Sequence, residues 1–336
     1  MCIRDRNQRL LFARKLLMET RLPVTQVAFA AGFGSVRRFN GAMRAQLQTS
    51  PSDLRRGNRS TAKTTAIELQ LQYRPPFDWE MMADFFRRHA IEGVEQVGDG
   101  HYERNLLVDG NPGRFRVEPQ RGRDALRLRV EIADNSQLMP LVARVRRMFD
   151  LDANPRAIAA ALGRDPLLAT AIAETPGLRC PGYGSLYEAS VRGVVGQQVS
   201  TRAARAVLAG MAQATARDHP PVFPEAQSLA VLPDSCFRMP GRRRDTLRAV
   251  CALASSRSDR LDLETLATLR GVGPWTLAMV AMRGTGHPDI LPIGDLGLDK
   301  AWAALAGEGV SLRDHADQWR PWRSYAANLL WRSLSP

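Results

Sequence analysis

LRGVGPWTLAMVAMRGTGHPDILPIGDLG, residues Leu269–Gly297, decides how the rest of the chain is read. Two glycines flank a valine between apolar helical runs, and 22 residues after the second glycine stands Asp295 in a Pro/Gly-rich loop. Leu266 and Leu269 fall on the buried face of a helix that ends here. Gly271 and Gly273 permit backbone geometry that other residues avoid, and Val272 plugs the turn. Pro274 suits a first helical position. A hairpin followed by a helix start leaves N–H groups pointing one way, a site for an anion such as a phosphodiester. By itself G-V-G also marks an ordinary tight turn. Asp295, likewise, also fits as the N-cap of a helix predicted over Leu296–Leu305.

The 336 residues are 44% hydrophobic and 24% charged, the values of a globular protein rather than a disordered chain. That length allows two or three domains, each with its own core. No apolar run is long enough to cross a bilayer, and the opening MCIRDRNQRL lacks the apolar stretch of a secretory signal. A cytoplasmic protein with no membrane partner is expected, and MCIRDR reads as a truncated or artificial start. Cys2, Cys180, Cys236 and Cys251 are widely spaced with no C-x-x-C pair. Four reduced thiols are expected, with no zinc or iron–sulfur ligand set.

The net charge of +13 is uneven. Residues 1–63 hold 13 Lys/Arg against 3 Asp/Glu, and the other 273 hold 34 against 31. A basic block on one small segment points to a polyanion, nucleic acid first, although a solvated basic tail has the same composition. Within it, Leu22–Arg38 reads LPVTQVAFAAGFGSVRR and runs on into FNGAMRAQLQTSPSDLRR. Val24–Ala31 fits a short helix with Val27 and Ala28 inward, and Gly32 can end it in the left-handed conformation. Ser35 can cap a second helix on which Phe39, Met43 and Leu47 recur. Helix, tight turn, helix is the layout that sends a second helix into a major groove. Ser35, Val36, Arg37 and Arg38 would stand at its start, within reach of bases and phosphates. The segment resembles the second helix-turn-helix of AraC-type regulators. Too little chain precedes Leu16 for the companion unit of those regulators, so residues 1–58 are read as a partial one.

Gly57–Thr65, GNRSTAKTT, is small and polar, and a linker is placed at 59–66. Beyond it, alternation predicts strands over Ile67–Tyr73, Tyr102–Val108, Gly113–Val117 and Ala125–Ile132. Helices are predicted from Asp78 to about Arg88 and from about Asn135 to Asp150. This is an α+β domain with an antiparallel sheet, 67–154. From Pro155 the strand signals nearly vanish. Helical periodicity over Tyr187–Ala212, Arg243–Ser255, Leu263–Leu269, Pro274–Arg283 and Tyr325–Ser333 predicts an all-helical domain, 155–336. The fold class is mainly α with an α+β domain and an N-terminal helix-turn-helix.

A carboxylate beside a DNA-holding hairpin has a use beyond capping. It can stabilise the positive sugar that forms when an N-glycosidic bond breaks, as carboxylates do in glycosidases. Seven stretches carry a resemblance in that direction: RPPFDWEMMADFF, GVEQVGDGHYERN, ARVRRMFDLDANP, VRGVVGQQVSTRAA, LRGVGPWTLAMVAMR, LPIGDLGLDKAW and RPWRSYAANLLW. In this order they resemble the helix–hairpin–helix DNA glycosylases, and within these the 3-methyladenine DNA glycosylase II (AlkA) branch. The resemblance runs from about Ile67 to Trp331.

The resemblance implies a role for each matching position. Asp295 falls on the catalytic carboxylate. Phe85, Trp275 and Trp331 fall on an aromatic base pocket suited to a cationic alkylated purine through cation–π attraction, and Met279 stands where a tyrosine is common. Apart from the resemblance, Phe85 and Trp331 read as ordinary helix core. Gln198 falls on the side chain that fills the gap left by a flipped base, and Gln197 beside it orders the loop. Gly271, Val272 and Gly273 would hold a phosphate through backbone N–H groups, with a monovalent cation as an optional companion. Neither a metal nor an organic cofactor is implied. The bifunctional glycosylase/lyases of this superfamily place a Schiff-base lysine just after the hairpin, and here that residue is Trp275. A monofunctional, monomeric enzyme on double-stranded DNA with alkylated bases is therefore expected. Pairing with a helix-turn-helix resembles the bacterial adaptive-response regulator fused to a glycosylase, although no cysteine cluster precedes the unit. The three arginines of MPGRRRDTL (Met239–Leu247) suit either phosphate or solvent, and Arg323 reads as a brace. The rival readings are a non-enzymatic AraC-type regulator with a degenerate glycosylase domain, and an oxidised-base glycosylase/lyase.

Overall fold

The computed structural model describes residues 3–20, 22–56, 66–256, 261–307 and 309–334. The linker read at 59–66 lies, apart from Ala66, outside the described residues, as does Cys2.

Alternation over Ile67–Gln72 turns Ile67, Leu69 and Leu71 inward and forms the first strand, β1. The others are β2 (Glu95–Gly98), β3 (His101–Val108), β4 (Asn111–Pro119) and β5 (Ala125–Glu131). They make one antiparallel sheet in the order β1-β5-β4-β3-β2, with Leu69 opposite Leu128 and Tyr102 opposite Val117. Strand β2 was not expected from the sequence. Its buried side chain is Glu95, a charge, so no apolar alternation announces it. Asp78 caps the helix Trp79–His89, accepting a hydrogen bond from the Met81 N–H at 2.9 Å. That helix sets Phe86 against Tyr102 of β3 and against Phe149, which follows the helix Leu138–Met148.

Beyond Pro155 every described element is helical. Two sequence expectations change here. The continuous helix read over Tyr187–Ala212 is two helices, Leu186–Val195 and Thr201–Thr215. Gly196 ends the first, Gln198 takes a left-handed φ of 53°, and the Ser200 hydroxyl caps the second by accepting from the Ala203 N–H. Apolar periodicity on both sides hid a break made by a cap. The helix read over Pro274–Arg283 is α-helical only to Val280 and continues as a π-helical turn, Ala281–Thr285. Such wide turns rotate the side chains that follow them, and they concentrate at functional positions.

The N-terminal unit consists of the helices Ile3–Glu19, Val24–Ala30, Val36–Leu47 and Pro51–Arg56. Gly32 turns at φ 78°, and the Ser35 hydroxyl accepts from the Arg38 N–H at 3.2 Å. The first helix lies along the edge of the sheet. Strand β1 has an unpaired side, and there the Gln70 N–H donates to Glu19 Oε2 at 2.9 Å while Lys15 Nζ donates to the Gln70 carbonyl. Two side chains thus satisfy backbone groups that an open edge would offer to another strand.

A buried ionic knot joins the sheet to the helical half. Arg104 of β3 donates to Glu188 of the helix Leu186–Val195 at 3.0 and 2.6 Å and to Glu95 of β2 at 3.1 Å. Arg192 closes the ring, with Nη2 2.7 Å from Glu95 and Nε 2.9 Å from Glu188. Arg144 adds a third guanidinium on Glu188 at 2.6 Å, and the Tyr102 hydroxyl donates to Glu95 at 2.7 Å. Burial by itself would raise the Glu188 carboxyl, but Arg104, Arg192 and Arg144 outweigh it and hold it at about 2.

Removing one member strands the others in low dielectric. Glu188→Gln is expected to cost about 3–5 kcal/mol in urea unfolding. Because the folded carboxyl lies below its unfolded value, the knot's stability is complete above the ordinary carboxylate range. It should drain away as pH falls toward 2, and the variant should show a flatter acid limb.

Candidate active site

The helix Leu263–Ala267 opens with a capping box between Asp262 and Thr265 and ends at Thr268. The chain then turns through Leu269–Gly273 into the helix Pro274–Val280. Gly271 has φ 90°, and a Cβ there would stand 2.1 Å from Thr246 Oγ1, so the turn requires glycine on two counts. Gly273 differs from the expectation. Its φ is −92° and nothing lies within 4 Å of a Cβ, so it is a tolerant N-cap position. Val272 also departs from its expected role. Its side chain is buried and plugs the turn, but its N–H is spent on the Leu269 carbonyl at 3.1 Å. The N–H groups of Gly271 and Gly273 find no acceptor among the described residues, and these remain for a phosphate.

The loop between the helices Leu186–Val195 and Thr201–Thr215 meets this hairpin through Gln197. Its Nε2 donates to the Gly271 carbonyl and to Thr276 Oγ1, each at 2.9 Å. Gln197 therefore braces the hairpin, while its neighbours Gln198 and Val199 are exposed.

Asp295 follows Gly294, whose φ of 83° aims the chain into the helix Leu296–Ala306. The carboxylate caps that helix, with Oδ1 accepting from the Leu298 N–H at 2.9 Å. It also accepts two indole N–H groups, from Trp275 at 3.0 Å on Oδ2 and from Trp331 at 2.9 Å on Oδ1. The carboxylate is thus the helix cap and also the meeting point of two indoles. At Gly297 a Cβ would stand 3.2 Å from Asp295 Oδ1, so a side chain there would crowd the carboxylate.

Phe85 is buried, and Met279 is half-buried one turn past Trp275. What links Phe85 to Trp331 is a residue the sequence reading did not single out. Arg283, buried in the π-helical turn, places its guanidinium 4.7 Å from the Phe85 ring centre and 5.2 Å from that of Trp331. Both rings expected to meet a cationic base therefore already have a resident cation beside them. Spacing offered a signal: Trp275, Met279 and Arg283 recur every four residues, one side of a helix. His89 stacks on Phe85 at 4.3 Å, and burial, with Arg283, Arg192 and Arg88 adding to it, lowers its pKa to about 3. It is a neutral ring at physiological pH.

The structure thus brings together Asp295, Trp275, Trp331 and Phe85, with Gly271, Gly273 and Gln197 on the hairpin side. Ser35, Arg37 and Arg38 lie apart on the helix-turn-helix, with Arg37 and Arg38 exposed. Of the MPGRRRDTL arginines, Arg244 pairs with Asp234 at 2.9 Å. Arg323 is the expected brace, with Nε 2.6 Å from Asp289. No helix among the described residues is long and apolar enough to cross a membrane.

Residues 68–185 match the model of the AlkA N-terminal domain, and residues 6–57 match a helix-turn-helix domain. A Mycobacterium tuberculosis protein named "Probable bifunctional transcriptional activator/DNA repair enzyme AlkA" is 37% identical, over 98% of this chain and 70% of its own. The Escherichia coli protein "DNA-3-methyladenine glycosylase 2" is 30% identical, over 78% of this chain and 95% of its own. The chain belongs to the AlkA family of DNA-3-methyladenine glycosylases. In fold, the AlkA-family chain is similar to the 3-methyladenine DNA-glycosylase of Archaeoglobus fulgidus, with TM-score 0.67 and 18% identity over 80% of this chain and 99% of that one. DNA is its partner.

Gly271→Ala is expected to lower stability by about 1–3 kcal/mol through the strained backbone alone, with Thr246 displaced in addition, and to weaken duplex binding. Gly273→Ala should leave the melting temperature nearly unchanged. Thermal unfolding beside fluorescence anisotropy on duplex DNA measures both.

Proposed function

We propose that this glycosylase is monofunctional, excising alkylated bases of the 3-methyladenine and 7-methylguanine type from double-stranded DNA, with Asp295 as the carboxylate at the sugar. The observation that carries the reading is the double indole grip on Asp295. Trp275 and Trp331 both donate to it, so the carboxylate stands at the mouth of the aromatic group instead of turning into solvent.

The target base must leave the stack to reach this group. The C1′–N bond then breaks, and its electron pair goes to the base. Positive charge grows on the sugar, where the carboxylate stabilises it. Water supplies the new oxygen on C1′, and its proton departs toward Asp295 and solvent. The 7- or 3-alkylated purine already carries a positive charge and leaves as a neutral base, so no general acid is needed. Trp275 stands where a lyase would need its amine, and an intact abasic strand is the product. The hairpin N–H groups of Gly271 and Gly273 hold a phosphate, and Gln198, exposed at the loop tip, enters the gap in the duplex. The enzyme acts as a cytoplasmic monomer without an organic cofactor. A monovalent cation at the hairpin would be an optional companion of the phosphate, held by the second lone pairs of the Leu269, Arg270 and Gly271 carbonyls, which each accept one donor, and no step runs through it.

The exposed Arg37 and Arg38 support a second contribution, sequence-independent phosphate contacts from the helix-turn-helix. Replacing both with Ala should flatten the salt dependence of binding by about 2 in log–log slope.

The central test is a duplex carrying 7-methylguanine, followed by released base and by strand breaks before alkali. Wild type should release base without breaks and without borohydride trapping. Asp295→Asn should lose about 10²–10³-fold in rate while still binding DNA. A folded, DNA-binding wild type that releases no alkylated base would sink the reading and favour a regulator.

A further inference from the structure

Arg283 is the charged group of the site that the mechanism above leaves without a task. Its Nη1 donates to the Pro181 carbonyl at 2.5 Å and its Nη2 to Asn328 Oδ1 at 2.9 Å, both neutral acceptors. It makes no ion pair among the described residues, and its buried Nε has no hydrogen-bond partner among them. Arg179, likewise buried, is also held by carbonyls and an aromatic ring, but it lies away from this site, and the arginines of the ionic knot are treated differently. Arg104 and Arg192 each contact both Glu95 and Glu188. A buried cation without a carboxylate is costly, and here only one carbonyl, one amide and two aromatic rings offset it.

Its placement supplies a reason. Trp331 lies between two charges, with its ring face under Arg283 and its N–H on Asp295. Phe85 faces the same guanidinium. We infer that Arg283 is a positioning residue for the reaction, acting through these rings to drive positive charge from the base toward the sugar. This rests on the function proposed above.

When the C1′–N bond breaks, the departing base gains one negative charge relative to its bound state, and the sugar gains one positive charge. A fixed cation at the base end and a carboxylate at the sugar end both favour that redistribution, and neither must reorganise for it. For a cationic base, Arg283 also disfavours the bound ground state, so part of its effect is spent against binding and recovered in the rate. For a neutral base, it stabilises the growing anion without penalising binding.

The test compares single-turnover rates and dissociation constants for duplexes carrying 7-methylguanine, which is cationic, or hypoxanthine, which is neutral. Arg283→Met should slow release of both bases about 10-fold or more. It should tighten binding of the 7-methylguanine duplex several-fold and leave hypoxanthine binding unchanged. Arg283→Lys should restore most of the rate. Asn328→Asp keeps the arginine but sets a carboxylate against it, so it should slow release with the same binding signature even if Arg283→Met fails to fold. Unchanged rates in a folded Arg283→Met or in Asn328→Asp would overturn the inference. Equal losses of binding and rate on both duplexes, without rescue by lysine, would also overturn it and leave a brace. Inactivity of wild type on both duplexes would instead be a failure of the proposed function.

Discussion

The buried ring of Glu188, Arg104, Glu95 and Arg192 is the constraint on which the rest of the structure depends. It joins strands β2 and β3 to the helix Leu186–Val195, whose residues from Glu188 to Val195 are all buried. The same helix ends at Gly196, and the next residue, Gln197, reaches the hairpin carbonyl of Gly271. A shift of the sheet against that helix would therefore move the exposed loop tip and the hairpin together. Apolar contacts alone tolerate sliding, whereas a ring of charges joined by short hydrogen bonds favours one arrangement. The cost of burying four charges is matched by a defined spacing between the parts that meet DNA.

Around Asp295 the same economy of roles appears. One carboxylate caps a helix and orders two tryptophans, so the local fold cannot form without placing the acid. The tryptophans are amphipathic: their N–H ends face the acid and leave the apolar rings free to pack. Arg283 meets one of those rings from the π-turn into which the helix from Pro274 widens at Ala281. An uninterrupted α-helix would have carried the guanidinium to a different angle about the axis.

The helix-turn-helix is held on the glycosylase by chemistry of a different kind. Lys15 and Glu19 complete the edge strand at Gln70, and Asn135 donates to Gln26 at 3.2 Å. The exposed arginines of its second helix and the phosphate-ready hairpin thus belong to one connected molecule, and both present groups suited to a nucleic-acid backbone.

Much of this was legible in the chain alone. The alternation of Ile67–Gln72, the cap at Asp78, the turn at Gly32 and the cap at Ser35 are local, because each depends on a few neighbouring residues. The hairpin and Asp295 were legible as well, since glycine, proline and a lone acid carry their conformational preferences wherever they stand. Strand β2 and the Gly196–Ser200 break were not, because one has a buried charge in place of an apolar residue and the other interrupts a periodic pattern without disturbing it. The double indole contact, the Gln197 brace and the seat of Arg283 were out of reach for a further reason. They join residues 20 to nearly 200 positions apart, from Trp275 with Asp295 to Phe85 with Arg283. Local preference decided the elements and their ends; only the packed fold decided which charges would face each other across an aromatic ring, because burial and distance are properties of the assembled molecule.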